Sequence, residues 1–135
     1  MIEYVVGIIT DKYNNTLLIR KNRPDWQVGR LNGIGGHIEV GESPYEAMVR
    51  ECKEECGLDL HNWLAMGTVT DKESYVVHYF SAQTTHIAKA ESRTDEVVEV
   101  RHLSFLDLRD VVPPTDVFIR LSLSPQYKTI ELVER

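Results

Sequence analysis

The sequence predicts an α/β fold, a sandwich of strands and helices in one domain spanning residues 1–135. Three observations predict it. Segments rich in β-branched residues recur along the chain, as strands do. Between them lies one stretch, Ser43–Cys56, with a helical apolar period and a capping signal at each end. The length of 135 residues fits a single domain, and such a chain buries enough apolar surface to fold without disulfide or metal.

The elements follow in order. Glu3–Thr10, EYVVGIIT, reads as a strand. Asp11–Asn15 reads as a turn, because Asn tolerates the left-handed conformation, and Thr16–Arg20 as the returning strand. Arg23–Arg30 is a polar loop. Leu31–Gly36, LNGIGG, is too rich in glycine for regular structure, although glycine lets a backbone approach a ligand closely. Ser43 is a good N-cap, Pro44 suits the first helical position, Glu46 completes a capping box and Gly57 supplies the stop. Leu64–Thr70 and Ser74–Thr84 read as strands, Thr85–Thr94 as a polar loop and Glu96–Phe105 as a further strand. Thr115 is expected to cap a second helix from Asp116 to about Leu123. Tyr127–Glu134 carries no decisive pattern. Strands mixed with two helices imply the layered sandwich.

Composition narrows the function. The N-terminal segment lacks a basic region and a cleavage site, and no stretch approaches the ~20 apolar residues that span a bilayer. A soluble, cytoplasmic protein without a membrane partner is expected. Cys52 and Cys56, without a second pair at zinc spacing, read as reduced core thiols. A net charge of −6 argues against a nucleic-acid binder. The charge is uneven. Asp11–Arg30 holds five basic residues and two acids, whereas Glu39–Asp59 holds seven acids and two bases. A basic segment beside an acidic one suits phosphates held with metal between.

On the Ser43–Cys56 helix at ~100° per residue, Tyr45, Met48, Val49, Cys52 and Cys56 share one arc, an ordinary core face. Glu51, Glu54 and Glu55 share the adjacent arc. Like charges at these spacings destabilise a helix. They are offset either by solvent with Arg50 and Lys53 on neighbouring turns, or by a hard cation with oxygen ligands.

The residues before the helix decide between these. Gly36, then Glu42 after five residues, then Arg50-Glu51-Cys52-Lys53-Glu54-Glu55-Cys56-Gly57-Leu58 after seven more, resembles the box of the Nudix family at every fixed position. Seven fixed identities at fixed spacing arise by chance at about 10⁻⁹ per start position, a far stronger signal than a short glycine motif. The box covers 23 of the 135 residues. Cys52 is a conservative rather than a typical choice at its apolar position. The resemblance implies a Nudix-type α/β/α sandwich, a mixed β-sheet between helices. It implies that Glu51, Glu54 and Glu55 bind Mg²⁺ (or Mn²⁺), helped by the Gly35 or Gly36 carbonyl. Arg50 would pair with Glu42 or a metal-binding Glu and hold it in place, and Gly57 would end the helix. The implied reaction is hydrolysis of a phosphoanhydride bond in a nucleoside diphosphate-linked compound. The general base is Glu51 or an acid of the Ala88–Val100 region (Glu91, Asp95, Glu96 or Glu99), with Glu96 preferred among these.

Outside the box, Asn32 in LNGIGG resembles the Asn with which Nudix enzymes that sanitise oxidised purine nucleotides read the base. Its amide can donate and accept at a purine edge. It can equally serve a turn beside Gly33. Asp107, Asp110 and Asp116 are the candidates for a later acidic base reader. Trp26 can stack on a base or pack its loop onto the sheet, the simpler use. Trp63 reads as core or edge filling. Arg20, Lys21, Arg23 and Arg30 are candidate phosphate contacts, and His37 lies near the same site.

The leading expectation is therefore conversion of an oxidised (d)NTP to (d)NMP and pyrophosphate. ADP-ribose, dinucleoside polyphosphates, nucleotide sugars and RNA 5′ ends are alternative substrates. Non-catalytic Nudix nucleotide sensors tend to have degraded boxes, and this box keeps its acids. Similar proteins are frequently homodimers.

Overall fold

The computed structural model describes residues 1–123 and 130–134. Among them are eight strands and two α-helices: β1 Ile2–Thr10, β2 Asn15–Arg20, β3 Leu31–Asn32, β4 Ile34–His37, α1 Pro44–Cys56, β5 Leu64–Asp71, β6 Tyr75–Gln83, β7 Val97–His102, α2 Thr115–Ser122 and β8 Ile130–Glu134. The strands form one mixed sheet in the order β3-β2-β1-β6-β5-β8, with β4 also paired to β1 and β7 to β2.

β1 organises the sheet. Along its whole length it runs parallel to β6, from Ile2 opposite Tyr75 to Thr10 opposite Gln83. Its other edge is shared. Ile9 and Thr10 pair with β2, while Tyr4–Gly7 pair antiparallel with His37–Ile34 of β4. The β1–β2 turn uses Asn14 at φ 64°, and the Asp11 carboxylate accepts from the Tyr13 and Asn15 amides.

Both faces of the sheet are covered, as the side-chain period of two requires. Val5, Ile9, Leu17 and Ile19 point to α1 and pack with Met48, Cys52, Cys56 and Trp63. Ile8 and Leu18 point the other way, against Phe118 and Ile119 of α2, Met66 and Tyr79. Each of these large side chains contributes roughly 1.5–3 kcal/mol on burial. The α1 caps form as expected. Ser43 and Glu46 complete a capping box, and Gly57 ends the helix at φ 80°, a conformation costly for any residue with a Cβ. Cys52 and Cys56 are free and buried. No described helix is long and apolar enough to cross a membrane.

Four expectations need correction. Leu31–Gly36 is not irregular. It supplies β3 and the start of β4, because its glycines approach β1 so closely that a side chain would collide with it; a Cβ on Gly35 would lie 1.9 Å from the Val5 carbonyl oxygen. The strand expected over Glu96–Phe105 ends at His102, where a turn returns the Phe105 amide to the His102 carbonyl and leaves Phe105 exposed. Thr115 is the first residue of α2 rather than its cap; Pro114 holds that position, and the Thr115 hydroxyl is used elsewhere. Tyr45 lies outside the core face of α1, exposed, with its hydroxyl on the His61 carbonyl. Within the unassigned Tyr127–Glu134, Ile130–Glu134 is β8, parallel to β5; Tyr127, Lys128 and Thr129 lie outside the described residues.

Candidate active site

A cleft of about 970 Å³ opens where α1, β4 and the floor of the sheet meet. It is lined by Glu51, Glu54, Glu55, Arg50, Glu96 and Lys21, and also by Asn32, Gln27, Trp26 and Tyr79. The lining derives from different elements: α1 supplies Arg50 and three acids, β3 supplies Asn32, the loop before it Trp26 and Gln27, and β6 Tyr79.

Arg50 organises the acidic end. Its Nε donates to Glu42 Oε2 at 2.7 Å and its Nη2 to Glu42 Oε1 at 2.9 Å, a two-pronged pair. Nη1 donates to Glu51 at 2.9 Å and to Glu54 at 3.2 Å, and Nη2 also reaches the His37 carbonyl at 3.0 Å. The two partners expected as alternatives, Glu42 and a helix acid, are thus held together. Arg50 keeps the Glu42 carboxyl below the usual carboxylate range. Glu51 is shifted upward, because its burial outweighs the neighbouring guanidinium.

Glu55 is the most unusual acid. It is 8% exposed, and one oxygen accepts from the Gly35 amide at 2.9 Å. Burial, then the charge of Glu51, push its pKa up to about 8. Gly36 lies against the same group. A Cβ there would fall 2.6 Å from a Glu51 carboxylate oxygen, so the glycine makes room for that carboxylate.

Glu96 comes from just before β7. It is buried at 5% exposure, accepts from Lys21 Nζ at 3.0 Å and the Asn22 amide at 2.7 Å, and lines the same cleft. The other acids of that region stand apart: Glu99 is bound to Arg20 through both oxygens, Asp95 to Arg23, and Glu91 to Arg93.

The structure brings some expected base and phosphate contacts together and separates others. Asn32 is buried and lines the cleft. It is a strand residue, and its Oδ1 accepts from the Gly33 amide at 2.8 Å and from the Thr115 hydroxyl at 2.6 Å. Trp26 lies at the cleft edge, 62% exposed, rather than packed onto the sheet. Its loop is tied down instead by backbone bonds from Lys21 and Gly29. Trp63 is buried in the core, as read from sequence. Arg23 lines the cleft, whereas Arg30 is outside the lining and donates to the carbonyls of Arg109 and Val111. Asp107, Asp110 and Asp116 also lie outside it. His37 lines the cleft with its ring 4.6 Å from that of Tyr4.

Sequence reasoning missed Tyr4, Gln27, Tyr75, Tyr79 and Thr115. The tyrosines alternate along β1 and β6 as any sheet residues do, and nothing local marks them.

The acids fit a hard divalent cation by donor chemistry. They are oxygen ligands only, three on one helix arc, and the buried Glu55 is charged only at a cost that a cation would remove. Among the described residues, no three acidic, His or Cys side chains already converge as a metal-holding group. Glu51 and Glu54 are turned to Arg50, and Glu55 to Gly35.

The NUDIX domain family model matches residues 2–127. The chain is 37% identical over 57 residues to an 8-oxo-dGTP diphosphatase of Escherichia coli (strain K12), covering 42% of this chain and 44% of that one. It is 33% identical over 63 residues to an 8-oxo-dGTP diphosphatase of Proteus vulgaris, covering 47% and 56%. The matches span about half the length of these relatives. Among solved structures, a MutT from work on Aliivibrio salmonicida and Vibrio cholerae superposes with a TM-score of 0.70 at 26% identity, over 88% of this chain and 94% of that one. A NUDIX hydrolase from Nitrosomonas europaea superposes with a TM-score of 0.80 at 15% identity, over 98% and 78%, a likeness of fold alone.

Proposed function

This chain belongs to the Nudix family, and we propose that it is a metal-dependent hydrolase converting a purine (d)NTP, an oxidised one foremost, to (d)NMP and pyrophosphate. One observation carries the reading: a single cleft is lined both by the acids of the box and by Asn32, Trp26, Val77 and Tyr79. The partial matches to two 8-oxo-dGTP diphosphatases favour the same substrate class.

Glu51, Glu54 and Glu55, with the Gly36 carbonyl, would hold Mg²⁺ or Mn²⁺. A cation bound there supplies charge neutralisation for the phosphates and a more acidic water. The protein's own groups do the remainder. Arg50 fixes Glu51 and Glu54 from behind and ties them to the box loop through Glu42. Lys21 and Arg23 offset phosphate charge at the other wall. The water oxygen forms a bond to phosphorus as the anhydride P–O bond breaks, and a carboxylate takes the water proton. Glu51 is the first candidate for that base and Glu96 the second, since each already lines the cleft. Trp26 stacks on the base and Asn32 reads its edge. The proposal places this work on free nucleotide in the cytoplasm.

The test is a panel of canonical and 8-oxo (d)NTPs, ADP-ribose, dinucleoside polyphosphates, nucleotide sugars and 5′-triphosphorylated RNA, incubated with Mg²⁺ or Mn²⁺. Metal-dependent release of a purine monophosphate is expected, and Glu54→Gln is expected to reduce it by orders of magnitude. Turnover confined to ADP-ribose, a dinucleotide, a sugar or RNA would replace the substrate. Tight nucleotide binding without turnover of any member would replace the enzyme reading by a sensor.

A further inference from the structure

Asn32 can read a base in only one sense, and the group that dictates this is Thr115. An Asn amide offers an oxygen with two lone pairs and a nitrogen with two protons. Here the oxygen is fully used: the Gly33 amide donates to it at 2.8 Å and the Thr115 hydroxyl at 2.6 Å. The Gly33 N–H also fixes which end of the amide is oxygen. Thr115 has one hydroxyl proton, so its bond to Asn32 makes it the acceptor in its 2.8 Å contact with the Tyr79 hydroxyl. The Tyr79 ring is stacked on Phe118 of α2 at 3.9 Å with the two planes nearly parallel, and Thr115 is wholly buried. On the nitrogen side, Gln27 Oε1 accepts weakly at 3.4 Å, and no other protein acceptor is found among the described residues.

We infer that Thr115 is a positioning residue that locks Asn32 as a donor alone, so that the cleft selects 6-oxopurines over 6-aminopurines. This rests on the proposal that the cleft holds a purine nucleotide. The bidentate pairing of Asn with adenine needs the amide oxygen to accept from the 6-amino group while the nitrogen donates to N7. In this protein that oxygen is already taken twice. A 6-oxo group needs only a donor and meets one. The 8-oxo modification adds a proton at N7, which a saturated oxygen cannot accept. Asn32 therefore distinguishes oxo from amino at position 6 and offers no acceptor to the N7 proton that oxidation at position 8 adds.

The test is calorimetric binding of GMP, IMP, AMP and 8-oxo-GMP to the full chain without metal. Wild type is expected to bind GMP and IMP about tenfold or more tighter than AMP, the scale of one good hydrogen bond against a mismatch. Thr115→Val should collapse that ratio toward one and, by freeing a lone pair of the Asn32 oxygen, raise the binding of 8-oxo-GMP relative to GMP, whereas Thr115→Ser should retain both ratios. A preference for AMP, or a GMP-to-AMP ratio untouched in Thr115→Val, overturns the inference. An independent reading avoids any variant: the Thr115 hydroxyl proton should appear in NMR spectra as a slowly exchanging resonance, and fast exchange overturns the lock. The binding ratio and the turnover panel fail separately. Selective binding with no nucleotide cleaved removes the proposed reaction and keeps the lock, whereas cleavage without 6-oxo selectivity does the reverse.

Discussion

Arg50 grips Glu42 across the mouth of α1 with two parallel hydrogen bonds, at 2.7 and 2.9 Å, while its remaining nitrogen holds Glu51 and Glu54. The planar fork makes this possible, and an ammonium could not reproduce it. Arg50→Lys should therefore behave almost as Arg50→Ala. Both should lower kcat by about 10²-fold through misplaced carboxylates and lower stability by about 1–2 kcal/mol. Steady-state kinetics and thermal melts check this; a Lys variant with full activity would show that point charge suffices.

Gly36 gives a sharper separation of activity from stability. A methyl added there first meets the carboxylate end of the Glu51 side chain rather than backbone, so Gly36→Ala should melt within about 1 kcal/mol of wild type. Displacing that carboxylate should still reduce turnover by about tenfold or more. A large loss of melting temperature would mean that the backbone, not Glu51, absorbs the clash.

Glu55 sets a pH dependence in the metal-free protein. Its folded pKa is pushed up to about 8, while the unfolded chain titrates near 4.5. Between these values the folded state holds a proton that the unfolded state has lost, so stability falls as pH rises through that window and is full below it. The difference in melting temperature between wild type and Glu55→Gln should shift in favour of the variant from pH 5 to pH 8. A pH-independent difference would mean that Glu55 is ionised throughout.

Glu99 works with the opposite sign. Arg20, bound to both its oxygens, holds its pKa down to about 2 against an ordinary 4.5. Its contribution is present above 4.5 and lost as pH falls through about 2. Glu99→Gln should cost on the order of 1 kcal/mol at pH 7, discounted for partial exposure, and the difference should close below pH 3. A gap that persists at pH 2 would point to packing rather than charge.

What the sequence disclosed follows from the range of each interaction. The α1 helix, its caps and its acids were legible because every signal lies within a few residues. Glycines misled at Leu31–Gly36, where intrinsic preference said loop and the close approach of β1 imposed strand. Thr115 followed a local rule for caps, yet its hydroxyl is claimed by Asn32 from 83 positions away. The pairing of Lys21 with Glu96, 75 positions apart in the chain, likewise had no local trace; the charge run marked Lys21 only as a basic residue that could meet phosphate.

The parallel ladder between β1 and β6 has a consequence for biogenesis. As the chain leaves the ribosome, every acid of the box has been made by Leu58, but the cleft floor needs Val77 and Tyr79, and β1 lacks its longest neighbour until Gln83 is free. The nascent N-terminal half thus exposes a charged helix with no compartment behind it. A fragment carrying the box alone would be a helix without a cleft, and grafting that motif into another scaffold would transfer its carboxylates without the sheet residues that line the rest of the cleft.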